Sequence, residues 1–406
     1  MTSNALILQC GGPTAVINAS LCGIISACQN HPGIQQLWGV RHGLRGLAGG
    51  DWADLTGYRD SAGEWQSRQR KLILLEFQPG AALGGGRDRL TEEDIPRILD
   101  RLQQHDIGVV FMIGGNGSMK AARKLSECAR AAGYQVRGSP LRVIAIPKTI
   151  DNDIAGTDVC PGYGSAARFV AQSVHDVGLD LYAMREFDHV AVIEVMGRHV
   201  GWLAAAAALA RWDNTAPPHL ILVPEVSLDE DAFLVAVQRQ YERERMCVVV
   251  AAEGIQDMQG TFLTERHQPA ERDDSGQKLF GLAGGPSPYL ATLIKQRLGL
   301  RCRQMRPDLM QRSSSAMSSE VDRNLARQVG EDAVTAAVEG RSDIMIGLER
   351  RGERWQSRPV PLGQVIGQER ALPAPFISPA NFDVTAEFIA YARPLLGQWS
   401  PGALRL

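Results

Sequence analysis

The sequence predicts an α/β fold of two lobes, each a mainly parallel sheet flanked by helices, and two observations carry that prediction. Short apolar runs recur as ALILQ (5–9), VVFMI (109–113), RVIAI (142–146), VAVIEV (190–195), LILV (220–223) and CVVVAA (247–252), each followed by glycine or proline and then a helical pattern. Such alternation builds parallel sheets covered by helices on both faces. The connecting segments also change in character along the chain. CGGPTAVINAS, GGNGSMKAARKL and PKTIDND follow the first three runs, whereas MGRHVGWLA, PE and EGIQ follow the later ones. One lobe is therefore rich in phosphate-binding loops and the other in polar substrate contacts, facing each other across a cleft. Ligands of parallel sheets sit at the carboxyl ends of the strands, where these segments begin.

Length and composition bound the rest. At 406 residues and 44% hydrophobic, the chain is long enough for two to three domains with their own cores. Lys and Arg number 43 against 45 Asp and Glu, a net charge of −2. No global field recruits nucleic acid or anionic membrane, so any anion site is local. The seven cysteines are scattered, odd in number and never CxxC, which argues against a disulfide framework or structural zinc. They read as buried thiols of a reducing cytoplasm. MTSNALILQCGG lacks the features of a signal peptide, and WLAAAAALA (202–210) is too short to span a bilayer and reads as a buried helix. Segments 51–70 and 257–277 read as surface excursions.

The first glycine loop, Gly11-Gly12-Pro13, lies between a strand and a helix-like stretch from Ala15 to Cys28. Paired glycines let backbone N–H groups approach a phosphate at a helix N-terminus; a plain tight turn is the alternative. It is neither GxGxxG nor GxxxxGK[ST], which disfavours a dinucleotide dehydrogenase and a P-loop nucleotidase together. Leu83-Gly84-Gly85-Gly86-Arg87-Asp88 lets a guanidinium lie on a phosphate, or is a hinge with an exposed arginine. Gly114-Gly115-Asn116-Gly117-Ser118 joins another buried strand to a helix from Met119 to Ala132. Two such junctions in one lobe outline a polyphosphate cradle.

PKTIDND (147–153) then places Lys148, Thr149, Asp151 and Asp153 together after a strand. A cation neutralises charge on a moving phosphoryl group, and a carboxylate takes a proton from an attacking hydroxyl. GYGSAA (162–167) follows a loop and reads as a helix start. In the second lobe, Glu194-Val195-Met196-Gly197-Arg198 and Ala252-Glu253-Gly254-Ile255 end apolar strands with charge, as binding residues or inter-lobe salt bridges. Arg297, Arg301, Arg303, Arg306 and Arg312 form a dense basic stretch, either a solvated face or a sugar-phosphate clamp. The eight histidines show no metal spacing.

Over almost its full length, from GGPTAVINAS through PKTIDND, VIEVMGRHVGWLA, AAEGI and MQRSSSA, the chain resembles the phosphofructokinase family. The resemblance implies two Rossmann-like lobes, residues 1–162 with about 311–361 for the phosphoryl donor and 163–310 with about 362–406 for fructose 6-phosphate. Lys148 looks like the branch that uses pyrophosphate, where ATP-dependent members usually carry glycine. Asp151 would be the general base at the sugar's 1-hydroxyl, Asp153 its support, Thr149 a contact to substrate and phosphoryl, and Lys148 a stabiliser of transferred charge. Gly12, Arg87 and Gly117 would line the donor site; Met196, Gly197, Arg198, Glu253, Arg303 and Arg312 would grip the sugar phosphate. Mg²⁺ is the implied cofactor, with Asn116 where the family has a metal-binding aspartate. A homodimer or homotetramer is implied, because the position of Arg303 acts across a subunit interface. Gly117 is the ATP-like choice, so an ATP-dependent phosphofructokinase is the alternative; a non-catalytic sugar-phosphate sensor is a more distant one. His189 and Leu309 stand where many members place an arginine and a histidine or tyrosine.

Overall fold

The computed structural model describes residues 3–55, 62–266 and 284–403, with side chains of 62–69 outside that description. Parts of the two expected surface excursions, 56–61 and 267–277, therefore lie outside the described residues. The chain divides into two compact units, Met1–Gly162 with Asp322–Glu369 and Tyr163–Val321 with Arg370–Leu406.

The first unit holds β1 (Ser3–Gln9), β2 (Ile34–Val40), β3 (Trp52–Asp54), β4 (Ile107–Gly114), the short pair β5 (Gln135–Val136) and β6 (Ser139–Pro140), β7 (Arg142–Pro147), and later β12 (Ile344–Arg351) and β13 (Arg354–Pro361). Its main sheet runs β13-β12-β7-β4-β1-β2-β3 and is parallel except at its two edges. The second unit holds β8 (Val190–Val195), β9 (Leu220–Leu222), β10 (Cys247–Ala252) and β11 (Cys302–Met305), ordered β11-β8-β10-β9 and wholly parallel, plus the small hairpin β14 (Ile377–Ser378) and β15 (Asp383–Val384).

The six strands expected from apolar runs lie within or upon β1, β4, β7, β8, β9 and β10. These are central or fully buried, so their sequences are continuously apolar. Strand β2 exposes Gln35 and Gln36, and β11 reads Cys-Arg-Gln-Met with no buried residue, so neither carries that signal. The helices Ile17–Gln29, Asn116–Ala131 and Tyr163–Met184 follow the three expected junctions. WLAAAAALA is a buried turn of α-helix, Trp202–Ala206, that tightens into a 3₁₀ segment, Ala207–Ala210. None of the seven cysteines forms a disulfide; five are buried, and Cys128 and Cys302 are half-buried rather than buried as expected.

The late boundaries expected near 311 and 361 fall at 321/322 and 369/370. Hydrogen bonds explain both shifts. Gln311 Oε1 accepts the Met196 N–H at 2.9 Å, and Ser319 donates its N–H to Ser165 Oγ and its hydroxyl to the Leu395 carbonyl, which ties 311–321 to the second unit. Leu362 N–H donates to the Asp343 carbonyl, and Glu369 bridges Ile154, which keeps 362–369 with the first. The C-terminal segment then joins the second unit through an aromatic cluster of Trp202, Phe376, Phe388 and Tyr391, with the Arg370 guanidinium 4.1 Å from the Trp202 ring centroid.

Candidate functional site

In the first unit the segments after β1, β4 and β7 leave the same edge of the sheet because those strands are parallel neighbours. Backbone bonds stitch them together. Cys10 N–H donates to the Ile113 carbonyl at 2.8 Å, Lys148 N–H to Gly114 at 3.0 Å, and Gly11 N–H to Gly86 at 2.8 Å. The last of these brings the loop that carries Arg87 against the Gly11-Gly12 turn. Lys148 is 3% exposed, and its Nζ donates to the Gly12 carbonyl at 2.5 Å. A buried ammonium is costly unless held by acceptors, so this lysine is fixed in place rather than solvated. Gly117 lies in the first turn of the helix Asn116–Ala131, and a Cβ there would meet nothing within 4 Å.

The TIDND loop is held by its own polar groups. Thr149 Oγ1 accepts the Asp151 N–H at 3.1 Å, and Asn152, at a left-handed φ of 57°, accepts the Cys160 N–H on Oδ1 at 2.9 Å. Asn116 donates its amide N–H to Asp153 Oδ2 at 2.8 Å, while Asp153 Oδ1 is buried without a hydrogen-bond partner. The amide of Asn116 thus faces Asp153 with its nitrogen, where the sequence leads one to expect an oxygen ligand. Burial first, and then the charge of Asp151, push the Asp153 carboxyl up to about 7, against the pull of the Asn116 hydrogen bond.

Two residues of this unit carry no signal that sequence reasoning picked up. Asn18 donates to the carbonyls of Gln78 (2.9 Å) and Gly80 (2.7 Å), and its Oδ1 accepts the Ala82 N–H (3.0 Å). Gln9 donates to Asn18 Oδ1 at 3.0 Å and accepts the Leu83 N–H at 2.9 Å. Both are fully buried, and together they anchor the chain that runs into Gly84–Arg87. The only hint was two amides among apolar neighbours, which must find partners if buried.

In the second unit the two segments after β8 and β10 also meet. Glu253 N–H donates to the Val195 carbonyl at 2.9 Å and Gly254 N–H to Gly197 at 3.2 Å. Any Cβ at Gly254 would stand 1.7 Å from the Arg198 carbonyl oxygen, so only glycine allows this approach. Buried Gln311, another residue missed from sequence, holds the Met196 N–H and carries the neighbouring Arg312 to the same edge. Burial raises the Glu253 carboxyl to about 6, opposed by Arg198 and reinforced by Glu194.

Not every expected sugar contact gathers there. Arg303 pairs in register with Ala191 near the amino end of β8, and its Nε donates to Asp188 Oδ2 at 2.8 Å. It therefore lies at the opposite end of the sheet from Met196, Gly197, Arg198 and Glu253. His189 is at that end too, and its Nδ1 accepts the Arg301 N–H at 3.2 Å. Leu309 is 55% exposed. Among the described residues no group of three or more His, Cys, Asp or Glu is placed to hold a metal, and no helix is long and apolar enough to cross a membrane.

A family model described as phosphofructokinase matches residues 4–337. A pyrophosphate–fructose 6-phosphate 1-phosphotransferase of Xanthomonas campestris is 37% identical over 98% of this chain and 92% of that protein. The enzyme of the same name from Rhodospirillum rubrum is 37% identical, covering 99% and 96%. The crystal structure of a pyrophosphate-dependent phosphofructokinase from Nitrosospira multiformis superposes with a TM-score of 0.86 at 32% identity, over 99% of this chain and 94% of that one.

Proposed function

The chain belongs to the phosphofructokinase family, and from that premise we propose how it acts: it is an enzyme that transfers a phosphoryl group from pyrophosphate to the 1-hydroxyl of D-fructose 6-phosphate, giving fructose 1,6-bisphosphate and phosphate. The observation that carries the donor assignment is Lys148, buried and bonded to the Gly12 carbonyl. It fills the turn that a longer donor would need and supplies positive charge to a short one. Relatives named for pyrophosphate at 37% identity support the same reading. The phosphoanhydride of pyrophosphate drives the step only weakly, so the reaction is reversible and serves sugar breakdown or synthesis.

The protein's contribution is positioning and charge stabilisation. Thr149 holds the Asp151 N–H and so sets the orientation of the loop. Asp151 accepts the proton of the 1-hydroxyl as that oxygen attacks, and Asp153 supports it. Gly12, Arg87 and the turn at Gly117 hold the donor; Lys148 stabilises charge on the transferred and leaving phosphates. Met196, Gly197, Arg198, Glu253 and Arg312 hold the sugar phosphate.

The residues fit a magnesium ion. The buried, unpartnered Asp153 Oδ1 beside a second carboxylate is an electrostatic strain that a divalent cation relieves, and Mg²⁺ typically takes one or two carboxylates plus phosphate oxygens. Asp151 and Asp153 would hold it, with Asn116 steadying Asp153. When bound, it would neutralise charge on the donor phosphates.

Arg303 lies too far along its sheet to reach its own chain's sugar site, which supports a role across a subunit interface in a homodimer or homotetramer. The enzyme is assigned to the cytoplasm. A coupled assay offering pyrophosphate or ATP as sole donor tests the central reading. Turnover with pyrophosphate alone is expected; turnover with ATP alone would give the decisive weight to Gly117 instead, and none with either would favour a sensor.

A further inference from the structure

Strand β11 ends at Met305, one residue before Arg306, and its register with β8 places Arg306 beside Glu194 at the carboxyl edge of the sheet. Arg306 Nε donates to Glu194 Oε1 at 3.2 Å. Glu194 is 5% exposed, and its Oε2 accepts both the N–H and the hydroxyl of Ser287, at 3.1 and 2.8 Å. Gly285 leaves the room this carboxylate occupies, since a Cβ there would come within 1.8 Å of Glu194 Oε1. An ionised carboxylate buried this deeply is expensive, and a pair of this kind is a poor source of stability. It is a good way to fix a guanidinium.

The Arg306 side chain is 31% exposed and lies within electrostatic range of Glu253, one of the proposed sugar contacts. A guanidinium presents its N–H donors in a fixed, planar fork that matches the oxygens of a phosphate. Arg306 stands at this edge with Arg198, which acts on the same Glu253, whereas Arg303 is at the other end of the sheet against Asp188 and Leu309 offers no charge.

We propose that Arg306, held in place by the buried Glu194, is a further residue that binds the anionic group of the sugar phosphate at the carboxyl edge of the second unit. The assignment rests on the sugar-phosphate reading of that edge. Glu194 is a positioning residue that acts through Arg306.

The test uses the full chain with steady-state assays in fructose 6-phosphate and pyrophosphate, alongside thermal unfolding. Arg306→Met is expected to raise the KM for fructose 6-phosphate about ten- to hundredfold, the range of one charge-assisted contact, with kcat and the KM for pyrophosphate within about threefold of wild type. Arg306→Lys should recover part of the loss. Because Arg306→Met alone strands the Glu194 charge, the double variant Arg306→Met/Glu194→Gln removes both charges and should show the same KM defect with a wild-type melting temperature. A double variant that folds and keeps the wild-type KM for the sugar overturns the proposal, because the pair is then only structural. If wild type neither turns over nor binds fructose 6-phosphate, the functional reading fails and this inference with it; an active wild type with an unaffected double variant refutes the inference alone.

Discussion

The two units present the same parallel-sheet edge to different chemistry. In the first, loops are stitched by backbone N–H groups, and one ammonium lies buried against the Gly12 carbonyl. In the second, backbone bonds again join the loops, but side-chain charge is added: Arg306 pairs with Glu194, and Arg198 lies within electrostatic range of Glu253. A compact polyphosphate suits glycine loops that such main-chain bonds hold in place at close range without side-chain bulk. A sugar phosphate has hydroxyls and an anion several bonds apart, which call for longer and more selective arms. On the proposed assignment, the contrast teaches that one architecture serves two ligands by changing the loops at the carboxyl ends of its strands.

The comparison is broken most severely at Asp151. If the first unit holds the chemistry, Asp151→Ala lowers kcat by about 10²–10⁴-fold, the range of general base catalysis, while binding of fructose 6-phosphate measured by calorimetry is largely retained. A fall of a few-fold would remove Asp151 from that role. The matching change in the second unit is Glu253→Gln. It should raise the KM for the sugar about ten- to hundredfold through one weakened charged hydrogen bond, with a much smaller effect on kcat. Equal losses in kcat would show that the division between chemistry and binding does not hold.

A smaller, graded effect comes from pH. Asp153 is raised to about 7 in the folded protein from its ordinary 3.8, so folding favours the protonated acid. Its contribution to stability is thus full below the ordinary value and disappears as pH rises through 7, while the deprotonated form that a cation needs gains population over the same interval. Metal affinity of the enzyme without substrate, followed by titration calorimetry with Mg²⁺, should fall up to about tenfold per unit as pH drops below 7, with proton release on binding. Affinity that stays flat from pH 6 to 8 would separate Asp153 from the metal.

The central strands were readable because burial on both faces makes a strand apolar along its length, as in VAVIEV and CVVVAA. Edge strands such as β11 and β13 mix polar residues and resemble loops. The glycine loops were readable for a related reason. Glycine after a buried strand and before a helix records a backbone requirement, and that requirement is local. Asn18, Gln9 and Gln311 were not readable, because a buried amide shows its purpose only through partners up to 115 residues away, as with Gln311 and Met196.

By itself the sequence determined the α/β alternation, the family likeness and the choice of PKTIDND as the loop proposed to react, all of which depend on residues close together in the chain. The tertiary structure alone decided where charge ends up. Arg303 and Arg306 stand three residues apart in one basic stretch, yet a strand advances about 3.3 Å per residue, and pairing with β8 leaves one beside Ala191 and brings the other to Glu194. Which arginine meets the substrate of its own chain is a matter of register, and register is set by packing between strands distant in sequence.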